Sequence, residues 1–399
     1  MEKTICELFA GVGGFRLGFE RSNLNWKTIW FSQWEPGKTK QWAHDCYVAH
    51  WGDIDENTGI DIAGVNKADI PDHNLLVGGF PCQDYSVAHP LPGSKGIEGK
   101  KGVLWWQIRD TLEEKKPPFV LLENVDRLLK SPASQRGRDF GVILACFAAL
   151  DYCVEWRVVN AADYGAAQRR RRTFIFAYKK NTNFYSEQIG YGAKEILTES
   201  GLLAKSFPVE KELKISSTKL NYEDIPSVSD SFKFAFGNAG MMRDGMIFSA
   251  DLTPIRETPI TLGEIAESNV DEKYYLGDNL EKWQYLKGAK RIERTSKTGY
   301  TYTFSEGAIS FPDKLDMPAR TMLTSESSLN RSTHIIADPG TGRLRILTPV
   351  ETERIQGFDD NWTNTGMPEK FRYFCMGNAL VVPMITRMAD ELNTVFDKE

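Results

Sequence analysis

Residues 4–14 read Thr-Ile-Cys-Glu-Leu-Phe-Ala-Gly-Val-Gly-Gly, and this stretch decides the fold. Its mostly apolar first half has the length of a buried strand, and the glycines that follow let the main chain turn sharply. The turn then opens a helix, as in the βα units that cradle a nucleotide-like ligand at the edge of a doubly wound sheet. A tight turn without a ligand, or a site for NAD or FAD, would show the same pattern.

The first ~180 residues continue this alternation of strands and helices. Amphipathic stretches at 104–115 and 140–149 are typical of helices that cover a sheet. We therefore expect an α/β fold, with a doubly wound, mostly parallel sheet covered on both faces. The predicted strands are Thr4–Phe9, Thr28–Phe31, Asn74–Val77, Phe119–Leu122, Glu155–Val159 and Thr173–Ala177.

The composition is that of a globular protein of two or three domains, with 399 residues, 41% hydrophobic and 26% charged. The formal net charge is −5, so a surface for nucleic acid would have to be a local basic patch. The chain shows neither an apolar run long enough to cross a bilayer nor a signal-peptide pattern after Met1. We expect a cytoplasmic protein without a membrane partner.

Six cysteines are spread along the chain without a C-x-x-C pair or a histidine at ligand spacing. The pattern predicts no metal site and no disulfide framework, and we expect most of the thiols to be buried. Cys82 differs, because it follows Gly78-Gly79-Phe80-Pro81 at the end of a strand, where open α/β sheets place their chemistry. A cysteine held on such a turn suits a nucleophile, although a buried structural cysteine is the alternative.

Polar residues also end the neighbouring strands. Glu123 and Asn124 follow an apolar strand, and a carboxylic acid there could act as a general acid. A salt bridge and a helix cap are the simpler interpretations. In the run Arg169–Arg172, an extended chain places Arg170 and Arg172 on one face and Arg169 and Arg171 on the other, so that one pair can point into the predicted site. A solvated edge is the alternative.

A ribose-binding acid is expected at the end of the second strand, about twenty residues after the glycine turn. The chain has Gln33-Trp34-Glu35 there, followed later by Asp53-Ile54. Trp34 could cover a ring, and Gln33 or Glu35 could accept from ribose hydroxyls. Each of these residues alone is more often structural.

Taken in order, five motifs resemble those of the DNA (cytosine-5) methyltransferase family, in particular bacterial type II modification methylases. They are FAGVGG (9–14), GGFPCQ (78–83), LLENV (121–125), QRRRRTF (168–174) and GNAL (377–380). The resemblance covers nearly the whole chain and implies four segments. These are a catalytic and S-adenosylmethionine-binding domain (1–180), an irregular β-rich target-recognition domain (181–335), a hinge and return segment (336–370), and a C-terminal strand and helix that complete the catalytic domain (371–399).

The resemblance also implies the residues that bind S-adenosylmethionine. The family carries an acid where this chain has Gln33, and this departure leaves the ribose contact open between Gln33 and Glu35. The other implied cofactor residues are Phe9, Gly11, Gly13, Gly14, Trp34, Asp53, Ile54, Pro81, Leu104, Asn378 and Ala379.

For catalysis, the resemblance implies that Cys82 attacks C6 of a flipped cytosine, which makes C5 nucleophilic. Glu123 would hydrogen-bond N3, and Arg172 would hold O2. Arg170 would support the flipped nucleotide or Cys82, and Asn124 would order the loop. No residue is identified that removes the C5 proton.

Double-stranded DNA is the implied partner of a monomeric enzyme. The glycine- and lysine-rich segment Asp84–Gly102 would close over the DNA, and a basic cluster at Lys287, Lys290, Arg291, Arg294 and Lys297 would face it. A tRNA methyltransferase, a catalytically silent DNA-binding relative and a nicotinamide oxidoreductase are the alternatives. The long segment without family motifs favours DNA over tRNA. The implied DNA contacts are Gln83, Ser86, Lys95, Lys100, Lys101, Arg291, Arg294 and Thr321.

Overall fold

The structure is a computed structural model, and it describes residues 1–80, 104–296 and 299–399. The strands of the described residues are β1 (Thr4–Leu8), β2 (Lys27–Ser32), β3 (Leu75–Gly79), β4 (Phe119–Val125), β5 (Tyr152–Asn160), β6 (Arg171–Lys179), β7 (Ser216–Lys219), β8 (Ala239–Arg243), β9 (Met246–Ala250), β10 (Lys290–Thr295), β11 (Thr301–Glu306), β12 (Ile335–Ala337) and β13 (Leu344–Ile346). Nine of these strands form a central sheet in the order β2-β1-β3-β4-β6-β5-β8-β9-β7, and two small two-stranded sheets, β10-β11 and β12-β13, lie outside it.

Helices connect and cover these strands. Apart from short 3-10 and π turns, the helices of the described residues are α1 (Gly14–Arg21), α2 (Trp42–Trp51), α3 (Leu104–Lys115), α4 (Arg138–Ala149), α5 (Asn183–Gln188), α6 (Ala193–Glu195), α7 (Leu202–Ser206), α8 (Ile225–Ser231), α9 (Leu262–Ile265), α10 (Leu280–Lys287), α11 (Pro349–Gln356), α12 (Glu369–Asn378) and α13 (Val382–Phe396).

The direction of the strands changes along the sheet. Strands β1 to β4 pair in parallel, and β6 is inserted antiparallel between β4 and β5, so that β5 runs with the first four. The hairpin β8-β9 and strand β7 extend the sheet antiparallel from β5. The predicted α/β fold with a large, mostly parallel sheet and its six predicted strands are therefore confirmed.

Alternating side chains of the buried strands form two hydrophobic cores, one on each face of the sheet. In β4, Phe119 and Leu121 belong to the core that includes α1 and α13, whereas Val120 and Leu122 belong to the core that includes α3 and α4. This alternation follows from the two-residue period of a strand and explains why helices cover both faces.

Two expectations about the later segments need correction. Strands β7 to β9 lie within the segment 181–335, yet they extend the central sheet, so residue 180 does not mark a break in it. The segment 371–399 contains helices α12 and α13 and no strand among its described residues. Its buried residues Arg372, Tyr373, Cys375 and Met376, with Phe374 exposed, follow the period of a helix.

Candidate active site

The glycine turn between β1 and α1 combines a tight side and an open side. Gly11 and Gly13 have φ angles of 58° and 87°, which only glycine adopts without strain. A side chain at Gly13 would come within 2.2 Å of the ring of Trp51, whereas one at Gly11 would meet nothing within 4 Å. The turn is therefore packed against the protein at Gly13 and leaves room for a ligand at Gly11.

The end of β2 holds this turn in place. The Gln33 side-chain oxygen accepts a hydrogen bond of 2.7 Å from the Gly11 N–H, and the Ser32 carbonyl accepts one of 2.9 Å from the Ala10 N–H. Glu35 instead accepts from the main chain of Ala43 in α2, and burial raises the pKa of its carboxyl group. Of the two residues proposed for the ribose, Gln33 is therefore the one that contacts the glycine turn.

The predicted ring-binding residues lie along the same edge. Trp34 and Ile54 are large apolar side chains with exposed fractions of 38% and 41%. Asp53 accepts a 2.6 Å hydrogen bond from the Thr58 hydroxyl, and the Thr58 carbonyl accepts one of 2.9 Å from the Gln33 N–H. Thr58 thereby ties the segment at Asp53 and Ile54 to the end of β2.

The remaining predicted cofactor residues come from distant parts of the chain. Phe9 and Leu104 pack against the edge of the same hydrophobic core. Asn378 ends α12 and is exposed, and Ala379 follows it. A side chain at Gly14 would come within 3.0 Å of Leu380, so the C-terminal motif adjoins the glycine turn. Pro81 lies outside the described residues.

An ion pair lies where β4 and β6 meet at the predicted catalytic edge. Glu123 is opposite Phe174, so Arg172, two residues away on β6, projects from the same face. The Arg172 Nε donates to Glu123 Oε1 at 2.7 Å, and the side chains are only 17% and 12% exposed. Arg171 on the opposite face is 57% exposed. The predicted division of the arginine run between two faces is confirmed.

Asn124 fixes the end of the neighbouring strand β3. Its buried side-chain nitrogen donates a 2.9 Å hydrogen bond to the carbonyl of Phe80, the last described residue before the segment 81–103. The position from which the chain continues to Cys82 is thus held beside Glu123, whose main chain pairs with Gly79. Cys82 itself lies outside the described residues.

The Arg170 side chain forms hydrogen bonds with the main chain of two segments that are distant in the sequence. Its buried guanidinium donates to the carbonyls of Met322 at 3.0 Å and Gly377 at 2.9 Å. Burial lowers the pKa of Arg170 to about 9. Gln168 accepts a 2.9 Å hydrogen bond from the Met322 N–H. No role was predicted for Gln168, because its partner lies 154 residues away and leaves no local signal.

The cysteines of the described residues are all buried, as predicted. Burial raises the pKa of Cys46 and Cys146 to about 11 and that of Cys153 to about 12, and it raises the pKa of Cys6 and Cys375 further. A thiol with such a pKa supplies almost no thiolate near neutral pH. These five residues are therefore poor candidates for a nucleophile.

The predicted DNA contacts separate into different environments. Arg291 is exposed on β10, and Arg294 lies 3.9 Å from the ring centre of Phe304. Lys287 was expected in the basic cluster, but its side chain is buried and donates to the carbonyls of Arg331 and Thr333. This expectation was wrong because the lysine lies in the last turn of α10, on the packed face that carries Trp283.

Two other residues of these predictions also bond within the protein. Lys290 of the basic cluster pairs with Glu306 at 2.9 Å, and the hydroxyl of Thr321, a predicted DNA contact, donates to the Arg169 carbonyl at 2.6 Å. The other predicted DNA contacts, and Lys297 of the basic cluster, lie outside the described residues: Gln83, Ser86, Lys95, Lys100 and Lys101.

The sequence is similar to those of known proteins. The sequence profile of the C-5 cytosine-specific DNA methylases matches residues 3–394. The chain belongs to this family. It is 51% identical to the type II methyltransferase M.Sau3AI of Staphylococcus aureus, over 98% of this chain and 95% of that protein. It is 27% identical to M.SsoII of Shigella sonnei, over 98% of this chain and 80% of that protein.

Solved structures support the fold alone. The Dnmt2 methyltransferase of S. pombe superposes with a TM-score of 0.60 at 14% identity, over 99% of both chains. The methyltransferase EhMeth of Entamoeba histolytica gives a TM-score of 0.57 at 17% identity, over 100% of this chain and 98% of that one. Family membership identifies this C-5 DNA methylase as a DNA (cytosine-5)-methyltransferase.

The described residues provide neither a metal-binding cluster nor a membrane-spanning helix. They contain no group of three or more His, Cys, Asp or Glu side chains that could hold a metal ion. None of the helices in residues 1–80, 104–296 and 299–399 is long and apolar enough to span a membrane.

Proposed function

We propose that this methylase transfers a methyl group from S-adenosylmethionine to C5 of a specific cytosine in double-stranded DNA, through a covalent bond between Cys82 and C6 of a flipped base. The observation that carries the proposal is the Arg172–Glu123 ion pair beside the end of β3. It places an acid and a cation next to the point where the chain continues to Cys82.

The glycine turn fits the cofactor. It is open at Gly11, and the exposed side chains of Trp34 and Ile54 lie along the same edge of the sheet. Gln33 would contribute to the ribose site without a charge, while its oxygen holds the Gly11 N–H. The cofactor would supply an electrophilic methyl group on a sulfonium. The protein would orient this methyl group towards the edge that carries Glu123.

The cysteine would make cytosine reactive. Attack of the Cys82 thiolate on C6 forms a carbon–sulfur bond and pushes an electron pair towards C5, which then takes the methyl group. Glu123 would donate a hydrogen bond to N3 as negative charge develops on the ring, and Arg172 would hold both Glu123 and the base oxygen O2. Loss of the C5 proton would restore the double bond and release the thiolate.

Several observations support this assignment of roles. The five described cysteines are buried with raised pKa values, which leaves Cys82 as the cysteine outside that group. Asn124 anchors Phe80 and would thereby set the position of the loop that begins at Pro81. Because the reacting atoms of cytosine are inaccessible within a duplex, the base would have to leave the stack.

Incubation with S-adenosylmethionine labelled on its methyl group tests the proposal. Duplex DNA should become labelled and tRNA should not, and nuclease digestion should release 5-methylcytosine. The Cys82→Ser variant should bind DNA like the wild type and transfer no label. Labelled tRNA with unlabelled DNA, or full activity of Cys82→Ala, would contradict the proposal.

The biological role follows from the type II relatives. We infer that the chain is a cytoplasmic, monomeric modification enzyme that protects DNA from a restriction endonuclease of the same sequence specificity. DNA from a host that expresses the chain should resist cleavage by an endonuclease whose site matches the methylated sequence. Full cleavage of DNA that sequencing shows to be methylated at those sites would contradict this role.

A further inference from the structure

Trp362 lies far along the chain from the glycine turn, in the connection between α11 and α12, yet it contacts the turn directly. Its ring is buried, and its Nε1 donates a 2.9 Å hydrogen bond to the carbonyl of Val12. The other side of the same peptide unit is also held, because the Gly13 N–H donates to the Ala10 carbonyl at 2.9 Å. The peptide unit between Val12 and Gly13 is therefore fixed at both of its polar groups, and one of the two partners lies outside the turn.

Two further rings hold the Trp362 ring in place. His50 of α2 stacks on it, with ring centres 3.6 Å apart and planes 9° apart. The His50 Nε2 also donates to the Trp362 carbonyl at 2.8 Å, since a carbonyl only accepts. Trp51, the next residue, meets the Trp362 ring at 5.4 Å in an edge contact. Trp51 is the side chain that closes the tight side of the turn at Gly13. The three rings thus form one cluster behind the turn.

A buried polar network fixes the main chain next to Trp362. The Thr363 N–H donates to Glu353 Oε1 at 2.9 Å, and Arg372 donates to the same oxygen at 2.8 Å. Arg372 also donates to the Thr363 hydroxyl at 3.0 Å. All three side chains are buried. The network joins α11 to α12 across the segment that carries Trp362, so this segment is attached to both helices.

The same segment also holds the far end of α1. Arg21, in the last turn of this helix, donates to the Gly357 carbonyl and pairs with Asp359 at 2.8 Å. Residues 357–363 therefore contact the glycine turn before α1 as well as the end of α1. The turn is held on one side by this segment and on the other by Gln33 at the end of β2.

We infer that Trp362 is a positioning residue of the S-adenosylmethionine site, which holds the Val12 carbonyl so that the turn keeps its open shape at Gly11 before the cofactor binds. A turn that is fixed in advance binds a ligand more tightly, since less conformational freedom is lost on binding. Trp362 acts through the main chain of the turn and not on the methyl group. This inference rests on the proposed function, because it requires the turn to be the cofactor site.

Two buried tryptophans at opposite ends of α1 allow a matched test. Trp362 and Trp26 are both 7% exposed. Trp362→Phe keeps a ring next to His50 and removes the N–H donor. Trp26→Phe is the control, because the Trp26 ring lies 5.0 Å from that of Phe19 in α1 and its Nε1 has no hydrogen-bond partner within the described part of the chain. The control therefore removes packing alone.

Calorimetry with S-adenosylmethionine should give Trp362→Phe a dissociation constant about 2- to 12-fold above that of the wild type, the range that one hydrogen bond contributes. The KM for S-adenosylmethionine should rise to the same extent, whereas kcat and the KM for duplex DNA should stay close to those of the wild type. Both variants should melt at a lower temperature, because each leaves space in a core. Trp26→Phe should bind the cofactor like the wild type.

A second variant carries 3-benzothienylalanine in place of Trp362, introduced by genetic code expansion. This amino acid has the shape of tryptophan with a sulfur atom instead of the N–H group, so it keeps the ring cluster and removes only the donor. It should show the same loss of cofactor affinity as Trp362→Phe.

Wild-type cofactor affinity in the benzothienylalanine variant would overturn the inference, even where Trp362→Phe binds weakly, because ring packing would then account for the loss. An equal loss of affinity in Trp26→Phe would overturn it as well, since general loosening of α1 would explain both results. A wild type that binds no S-adenosylmethionine would instead contradict the proposed function.

Discussion

The Arg172–Glu123 pair allows a prediction that separates catalysis from stability, because an exposed pair between β6 and the residue that follows β4 provides a control. Arg172 and Glu123 are 2.7 Å apart and 17% and 12% exposed, whereas Arg171 and Asp126 are 3.1 Å apart and 57% and 39% exposed. We call these the inner pair and the outer pair.

The two pairs should differ in coupling energy. A hydrogen bond between charged groups that are largely shielded from water contributes about 1.5–3 kcal/mol, and an exposed ion pair contributes about 0–1 kcal/mol. A double-mutant cycle with Glu123→Gln and Arg172→Gln should therefore give a larger coupling in the free energy of unfolding than one with Asp126→Asn and Arg171→Gln.

Activity should separate the pairs further. Glu123→Gln keeps the size of the side chain and removes its ability to donate a proton, so kcat should fall by about 100-fold or more. Both outer variants should stay within a few-fold of the wild type. The assays are urea unfolding and initial rates of methyl transfer to duplex DNA. A Glu123→Gln variant with nearly normal kcat, or inner and outer cycles with equal coupling, would refute this reasoning.

Three further predictions concern the surroundings of the site. Burial raises the pKa of Glu7 to about 8, so the folded state holds a proton that the unfolded chain releases near pH 4.5. The unfolding free energy of the wild type should therefore fall relative to that of Glu7→Gln as pH rises from about 4.5 to 8, by about 1.4 kcal/mol for each pH unit. Parallel pH profiles of the two proteins in thermal melts would contradict this. Gly13 has a φ of 87°, and a Cβ added there would lie 2.2 Å from Trp51. Gly13→Ala should therefore lower the free energy of unfolding by about 1–3 kcal/mol and weaken S-adenosylmethionine binding in calorimetry. Wild-type affinity would exclude a tight turn here. Asn124→Ala removes the hydrogen bond to Phe80 and should lower kcat more than DNA affinity, and an equal loss of both in rate and binding measurements would count against a role in positioning the loop.

The strands of the catalytic half could be predicted because each has a short apolar run with a turn signal after it. Residues 4–9 and 119–122 are examples, and they correspond to β1 and β4. Strand β7, with the sequence Ser-Ser-Thr-Lys, carries no such signal, because its place at the sheet edge leaves most of its side chains in solvent.

The site was predictable where residue type and position along a strand carried the information. Glu123 and Arg172 follow from the ends of their strands and from the alternation of faces. The partners of Arg170 were not predictable, because Met322 and Gly377 are 152 and 207 residues away and contribute only main-chain carbonyls, which any sequence supplies. The burial of Lys287 was missed for a similar reason, since its acceptors are also carbonyls.

The proposed mechanism requires that a sulfur atom of this chain bonds to the target base during methyl transfer. The most direct measurement is mass spectrometry of the complex trapped on duplex DNA that contains 5-fluorocytosine at the methylated position, where the absence of a C5 proton blocks release. We predict a single crosslinked peptide with the modification at Cys82. A crosslink to another residue, or methyl transfer without any trapped complex, would contradict the account.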